Sequence, residues 1–345
     1  MKYRTIGDGR VGLTVSRMCL GTMYMGTRTD ERTSFAILDR FLEAGGTFLD
    51  TANNYGQWNG DAGESERTLG KWMASRGVVD RMIVATKVGA RTLVPGNPAM
   101  ENWQGLGRSA ILEDAELSRR QLGKDRLDLL YAHIDDRSTP QEETVDALAT
   151  LAEDGRVGLL GASNHSVWRI ERARGIARGA GRPAYSCIQQ KHSYLLPIPG
   201  PGQLNLVSAD LEDYAEAEGL TLLAYSPLLT GLYARSDMTP RAEYGHAANV
   251  ARMAALREVA AELGATPTQV VLAWLIASRP SIIPISGASS VEQLDEQLGA
   301  MSLELDAVTM DRLSVAGREV ADPSLFVGQP VVAAARREPV SGSRE

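Results

Sequence analysis

The sequence predicts an α/β protein: a closed (β/α)8 TIM barrel entered through an N-terminal β-hairpin, with long loops on the C-terminal face of its strands. Three observations predict it. Eight short apolar runs recur along the 345 residues, amphipathic stretches of helical period separate them, and no shift in composition marks a linker. Near-continuous apolar runs suit strands buried on both faces, and strands alternating with helices build a parallel sheet under helical layers. Eight such units favour closure over a doubly wound open sheet, the alternative with the same alternation. One domain over residues 1–330 is expected, with residues 331–345, part of an Ala-, Arg- and Ser-containing end, forming a flexible tail.

The first element is a hairpin that imitates something else. Residues 7–12 read GDGRVG, the G-x-G-x-x-G of dinucleotide-binding turns. That motif cradles a pyrophosphate only between a strand and a helix N-terminus. Here Leu13 to Leu20 alternate apolar and polar residues at period two, a strand pattern, and Asp8-Gly9 favours a tight turn. The other runs follow at Arg17–Leu20, Thr47–Asp50, Met82–Thr86, Leu127–Ala132, Val157–Gly161, Ser186–Gln189, Leu220–Tyr225 and Ser281–Ile285. Helices are expected at Thr33–Ala44, Ser65–Ser75, Ser109–Gln121, Thr144–Ala152, Ser166–Arg178, Leu206–Ala217, Val250–Leu263, Pro267–Ala277 and Val291–Leu298. Asp30 or Thr33 suits an N-cap, Gly45-Gly46 a helix stop, and Pro267 a first turn. Two connections, Gly89–Gly107 and Ser226–Asn249, exceed ordinary loop lengths, and both follow strands onto the face where barrel sites are built.

Composition narrows the function. A net charge of −7 disfavours nucleic acid or an anionic membrane as partner. No apolar run approaches a spanning helix and no signal-peptide core follows Met1. Cys19 and Cys187 fall in strand-like runs and read as reduced core residues of a cytoplasmic protein, and the four scattered histidines carry no metal-ligand spacing.

Polar residues collect where the strands end. The second run delivers Asp50, within FLDTANNYG, with Tyr55 five residues on. The third places Lys87 just past its end, the fourth His133, the fifth Ser163 and Asn164, the sixth Gln189 and Gln190, the seventh Tyr225 and Ser226. Polar groups at one rim of an otherwise apolar barrel need partners. The fitting chemistry is proton donation by a phenol. Lys87 is expected to lower the Tyr55 pKa, Asp50 to hold the ammonium, and His133 to orient a carbonyl oxygen or help move the proton. A carbonyl protonated this way needs a hydride that no side chain supplies, which implies a nicotinamide cofactor. Asn164 and Gln189 suit its carboxamide and the Tyr225 ring its face.

The blocks LDTANNYG, ATK, YAH, GASN, AYSPL and PISGASSVEQL resemble, in order and at the matching strand ends, those of the aldo-keto reductase superfamily. The resemblance implies a catalytic tetrad of Asp50, Tyr55, Lys87 and His133. It also implies a cofactor site of Gly21, Thr22, Ser163, Asn164, Gln189 and Tyr225, with Ser226, Pro227, Leu228 and Gly231 covering the pyrophosphate. The segment from Gly287 to Gln297, with Ile285 before it and Ser289 and Gln293 within it, would bind the phosphate. NADPH is the expected cofactor and NAD is possible, since GASSVEQLDEQ holds no Lys or Arg and Gln297 replaces the family's usual Asn. The expected partner is a small carbonyl substrate, reduced to an alcohol. Tyr24, Trp58 and Trp103 are the main candidates for the substrate pocket, with Met23 and His192 beside them. Two other readings share the fold: a slow cofactor-sensing subunit similar to potassium-channel β subunits, and a lyase or isomerase binding a sugar phosphate.

Overall fold

In a computed structural model of the chain, the residues described are 1–59, 62–94, 102–198, 200, 205–235 and 239–318. The expected tail, 331–345, and the end of the expected domain lie outside them. The chain opens with β1 (Tyr3–Gly7) and β2 (Gly12–Ser16), an antiparallel pair. GDGRVG is therefore a hairpin turn: Gly9 takes φ 84°, and the Asp8 carboxylate accepts from the N–H groups of Arg10 and Val11, both at 3.0 Å. Then follow β3 (Cys19–Gly21), α1 (Glu31–Glu43), β4 (Phe48–Asp50), α2 (Glu64–Arg76), β5 (Ile83–Val88), α3 (Arg108–Leu122) and β6 (Leu127–Ala132). The second half runs through α4 (Gln141–Glu153), β7 (Val157–Ser163), α5 (Val167–Gly179), β8 (Tyr185–Lys191), α6 (Ala209–Ala217) and β9 (Thr221–Tyr225). It ends with α7 (Ala247–Glu262), α8 (Pro267–Ala277), β10 (Ile282–Gly287), α9 (Val291–Leu298) and α10 (Ala307–Val315).

Strands β3 to β10 close a barrel in the order β10-β3-β4-β5-β6-β7-β8-β9, parallel throughout. Between strands and helices lies the larger core, with Leu20, Ile37, Phe41, Trp72 and Leu130 buried in it. A second apolar cluster fills the barrel itself, where Phe48, Leu129, Leu159, Cys187, Leu223 and Ile283 meet Ile6, Leu13 and Val15 of the hairpin. The hairpin thus plugs the end from which the strands start. Both cysteines are buried and unpaired with each other. Tyr131 also points inward; a Cβ at position 161 would come within 2.4 Å of its ring, so β7 needs Gly161 there.

Local signals set most helix ends. Asp30 accepts from the Thr33 N–H at 2.9 Å and starts α1, while Gly45, at φ 83°, allows the turn after it. Thr266 and Gln269 form a reciprocal capping box on α8, with Pro267 in the first turn. The structure moves several expected bounds by a few residues, and three of its corrections have a local cause. Lys87 lies inside β5, not past it; α6 begins at Ala209 rather than Leu206, where Ser208 accepts from the Leu211 N–H; and α10, capped by Asp306, was not expected. In each case a cap or ladder bond outweighs apolar periodicity.

Candidate active site

Asp50 is the last residue of β4, and Lys87 sits on the neighbouring β5. Past the strand the chain stays pinned to β5, Thr51 N–H donating to Ala85 O at 2.9 Å and Asn53 N–H to Lys87 O at 3.1 Å. The Thr22 hydroxyl donates to Asp50 O at 2.9 Å and lies 2.9 Å from the Ser65 hydroxyl, so this buried residue ties the first two loops together. A turn closed by Tyr55 N–H to Ala52 O then carries the phenol back over the strand end.

The Lys87 ammonium, fully buried, donates to Asp50 Oδ1 at 2.6 Å, to Thr51 O at 2.7 Å and to Tyr55 Oη at 3.2 Å. Its three protons have three acceptors, which fixes its position. Burial disfavours its charge, yet Asp50 and Tyr55 outweigh that, and its pKa is raised. Burial also raises Asp50 above the usual carboxylate range, against the pull of Lys87 and Gln189. The same applies to Tyr55, where Lys87 acts in the expected direction but burial is the larger effect. Burial lifts the phenol's pKa, Lys87 pulls it down, and the net direction is up, not down. The phenol therefore holds its proton at rest. The ring of His133, on the residue after β6, stands edge-on to Tyr55 with centroids 6.1 Å apart. Burial and the Lys87 charge push its pKa well below 6.5, so the imidazole is neutral, and its buried Nδ1 has no partner.

Tetrad residues come from three consecutive strands, β4, β5 and β6; the expected cofactor residues come from the other five, so the two sets share one rim. Ser163 ends β7, and Asn164 follows at φ 62°. The Asn164 amide donates to His133 O at 2.9 Å and accepts from Tyr225 Oη at 2.8 Å. Gln189 departs from a purely cofactor-facing role: its Nε2 donates to Asp50 Oδ2 at 2.7 Å, joining the charge network directly. Gln190 turns away, donating to His165 O. After β9, Ser226, Leu229 and Thr230 take φ 54°, 47° and 59°, and Gly231 φ 91°. Side chains rarely adopt that region, and such strain gathers at ligand clamps. Pro227 and Leu228 lie within this bend. Ile285 and Gly287 pair with Cys19 and Gly21, so the segment leading to α9 starts beside the end of β3. Ser290 caps α9 by accepting from the Gln293 N–H at 3.3 Å, and Gln293 Oε1 accepts from the Ser289 N–H and hydroxyl at 2.9 and 2.8 Å. Gln297 donates to Gly287 O at 3.0 Å.

Of the expected substrate-side aromatics, Tyr24 and Trp58 meet edge-to-face at 5.7 Å, and Trp58 lies 6.4 Å from the Tyr55 ring. Trp103 is half-buried and bridges Thr92 across the third loop, with its indole nitrogen buried and unpartnered. Met23 is exposed, and His192 lies 5.8 Å from Trp274. Sequence reasoning missed Asn205, whose amide donates to Tyr225 Oη at 2.7 Å. It also missed Glu66, fully buried behind Lys87, accepting from the Thr86 hydroxyl at 2.5 Å. Nothing local flags Asn205; a Glu among the buried positions of α2 was a visible signal.

The profile of the Aldo/keto reductase family matches residues 17–316. The chain belongs to that family. It is 33% identical over 314 residues to the uncharacterized oxidoreductase YrpG of Bacillus subtilis, covering 89% of this chain and 93% of that protein. The norsolorinic acid reductase stcV of Emericella nidulans is 32% identical over 88% of this chain and 78% of its own. Among solved structures, a thermostable aldo-keto reductase, Tm1743, crystallised with the inhibitor epalrestat, superposes with a TM-score of 0.70 at 26% identity. That match covers 91% of this chain and all of the other. This aldo/keto reductase is thus an oxidoreductase of a family that reduces carbonyl groups with NAD(P)H. Among its described residues, no single helix is long and apolar enough to cross a membrane.

Proposed function

We propose that this aldo/keto reductase reduces an aldehyde or ketone to the alcohol with NADPH, Tyr55 giving the proton. The observation that carries the reading is the buried Lys87 ammonium joining Asp50 to the Tyr55 hydroxyl. A phenol that keeps its proton at neutral pH is an acid in waiting, and the adjacent ammonium stabilises the phenolate once the proton has gone. Gln189 holds Asp50, that ammonium's counter-charge, in place. His133, neutral and beside the Tyr55 ring, can donate a hydrogen bond to the carbonyl oxygen without carrying the proton itself. The residues suit a dinucleotide: a strained bend at Ser226 to Gly231, a capped helix start at Ser290, and the Tyr225 ring braced by Asn164 and Asn205. Those groups, with Ser163, Ser289, Gln293 and Gln297, would hold it. When bound, the reduced nicotinamide supplies the hydride to the carbonyl carbon.

The substrate we infer is a flat, largely apolar carbonyl compound resting on Trp58 and Tyr24, with Trp103 at the edge of the pocket. Aromatic faces take such rings by stacking. Norsolorinic acid reductases and an aryl-alcohol dehydrogenase of Pestalotiopsis microspora among the relatives support this class. Tyr55→Phe tests the mechanism, because it keeps the ring and deletes the proton. Carbonyl reduction should fall at least about 100-fold while NADPH affinity, read by fluorescence quenching, stays within a factor of about two. Near-normal turnover in that variant would sink the reading.

A further inference from the structure

At the end of the barrel opposite Tyr55, beside the hairpin, lies a depression of about 540 Å³ whose wall includes Arg4, Arg17, Arg279, Ser281 and Glu216. Two of these guanidinium groups converge on one residue. Arg4 Nη1 donates to Ser281 O at 2.9 Å; Arg17 Nη2 donates to Ser281 Oγ at 2.8 Å and to Ile276 O at 2.6 Å. Both are half-buried, and among the described residues neither pairs with a carboxylate. The adjoining groove, which shares Gly219 and Leu220, behaves differently. There Arg174 and Arg178 meet Glu218 at 2.9 and 2.8 Å, and Arg182 meets Glu153 at 2.7 Å. In the depression the acid on the wall is Glu216, which is exposed and in no ion pair with either arginine. Burial and the neighbouring Arg17 charge lower the Arg4 pKa, so the two cations lie close enough to oppose one another.

Two half-buried like charges facing one cavity are stabilised by an anion between them, and guanidinium forks match a tetrahedral oxyanion through paired N–H bonds. We propose that this depression binds a phosphate group, either inorganic phosphate or the monoester of a small metabolite, between Arg4 and Arg17. Arg279, exposed at the rim, adds a third positive charge. The site is remote from the carbonyl-reducing rim and does not depend on which cofactor occupies it.

Calorimetric titration of inorganic phosphate into the full-length protein tests this, with potassium chloride at matched ionic strength as control. Saturable binding is expected, weakened by at least about tenfold in Arg17→Met and by a few-fold in Arg279→Ala. Gln293→Ala, at the proposed cofactor site, should leave it unchanged, which separates this site from phosphate binding there. Heats no different from chloride, or affinity untouched by both arginine variants, would overturn the proposal. If Arg17→Met fails to fold, the surface variant Arg279→Ala decides alone. Repeating the titration with glycerol 2-phosphate assigns the source: weaker binding than inorganic phosphate points to the free ion, equal or tighter binding to a monoester.

Discussion

Lys87 spends its three protons on a carboxylate, a carbonyl and a phenol, so its removal changes more than one charge. Lys87→Met leaves Asp50 buried without its cation and takes away the group that pulls the Tyr55 pKa down. The phenol, already above its ordinary value through burial, should rise further and become a poorer acid. Reduction at pH 7 should drop by at least about 100-fold, and stopped-flow measurement with cofactor prebound would show the loss in the chemical step. A second buried acid makes a pH prediction. Burial, reinforced by Asp114, raises Glu66 to about 7, against the hydrogen bond from Thr86. The folded state therefore holds a proton that the unfolded chain releases near 4.5, so the stabilisation is full below that pH and is lost as pH rises through about 7. Glu66→Gln mimics the protonated form. It should exceed the parent in stability at pH 8 by about 3 kcal/mol and match it only near pH 4, as read by urea denaturation. Equal stabilities at both pH values would show that Glu66 does not titrate in this range.

At the scale of elements, what the sequence made legible is what local chemistry dictates. Asp8-Gly9 specifies a turn, Asp30 and Thr266 specify helix starts, and strand ends follow from apolar runs giving way to Asp50, His133 and Asn164. The rest depends on contacts between distant segments. Gln189 reaches Asp50 across 139 positions, and Asn205 reaches Tyr225 from an irregular loop; no periodicity encodes either. The pull of Lys87 on the Tyr55 pKa is legible in the sequence, whereas the burial that outweighs it is a property of the closed barrel. The start of α9 illustrates both sides. Its Ser290 cap is plain in the sequence, whereas the closure of Gln293 onto Ser289 is not. That closure leaves a helix N-terminus with hydroxyls and no basic side chain, a weak site for the extra phosphate of NADPH. Gln293→Arg should tighten NADPH by about fivefold or more and leave NADH nearly unchanged, measured by fluorescence titration. Equal gains for both cofactors would place this helix away from the adenosine phosphate.

Over the whole molecule, the barrel separates the work of its two ends. Charged and hydrogen-bonded groups gather where strands finish, and each depends on a rigid wall beneath it. At the other end the hairpin inserts Ile6, Leu13 and Val15 among Leu129, Leu159, Leu223 and Ile283, sealing the interior without touching the tetrad. Barrel proteins commonly divide stability and activity in this way, because the apolar interior between the two faces is packed solid. Ile6, 1% exposed, gives the sharpest test of that division here. Ile6→Ala removes buried methyl groups and leaves a cavity at the plug, which should cost about 2–4 kcal/mol in urea denaturation. Under conditions where the variant is fully folded, kcat should stay within about twofold of the parent, since a loss at the plug lowers the population of folded enzyme and not the rate of each molecule. A fall in kcat that persists in the folded variant would mean the packed interior transmits strain to Asp50 and Lys87, and that the two ends are not independent.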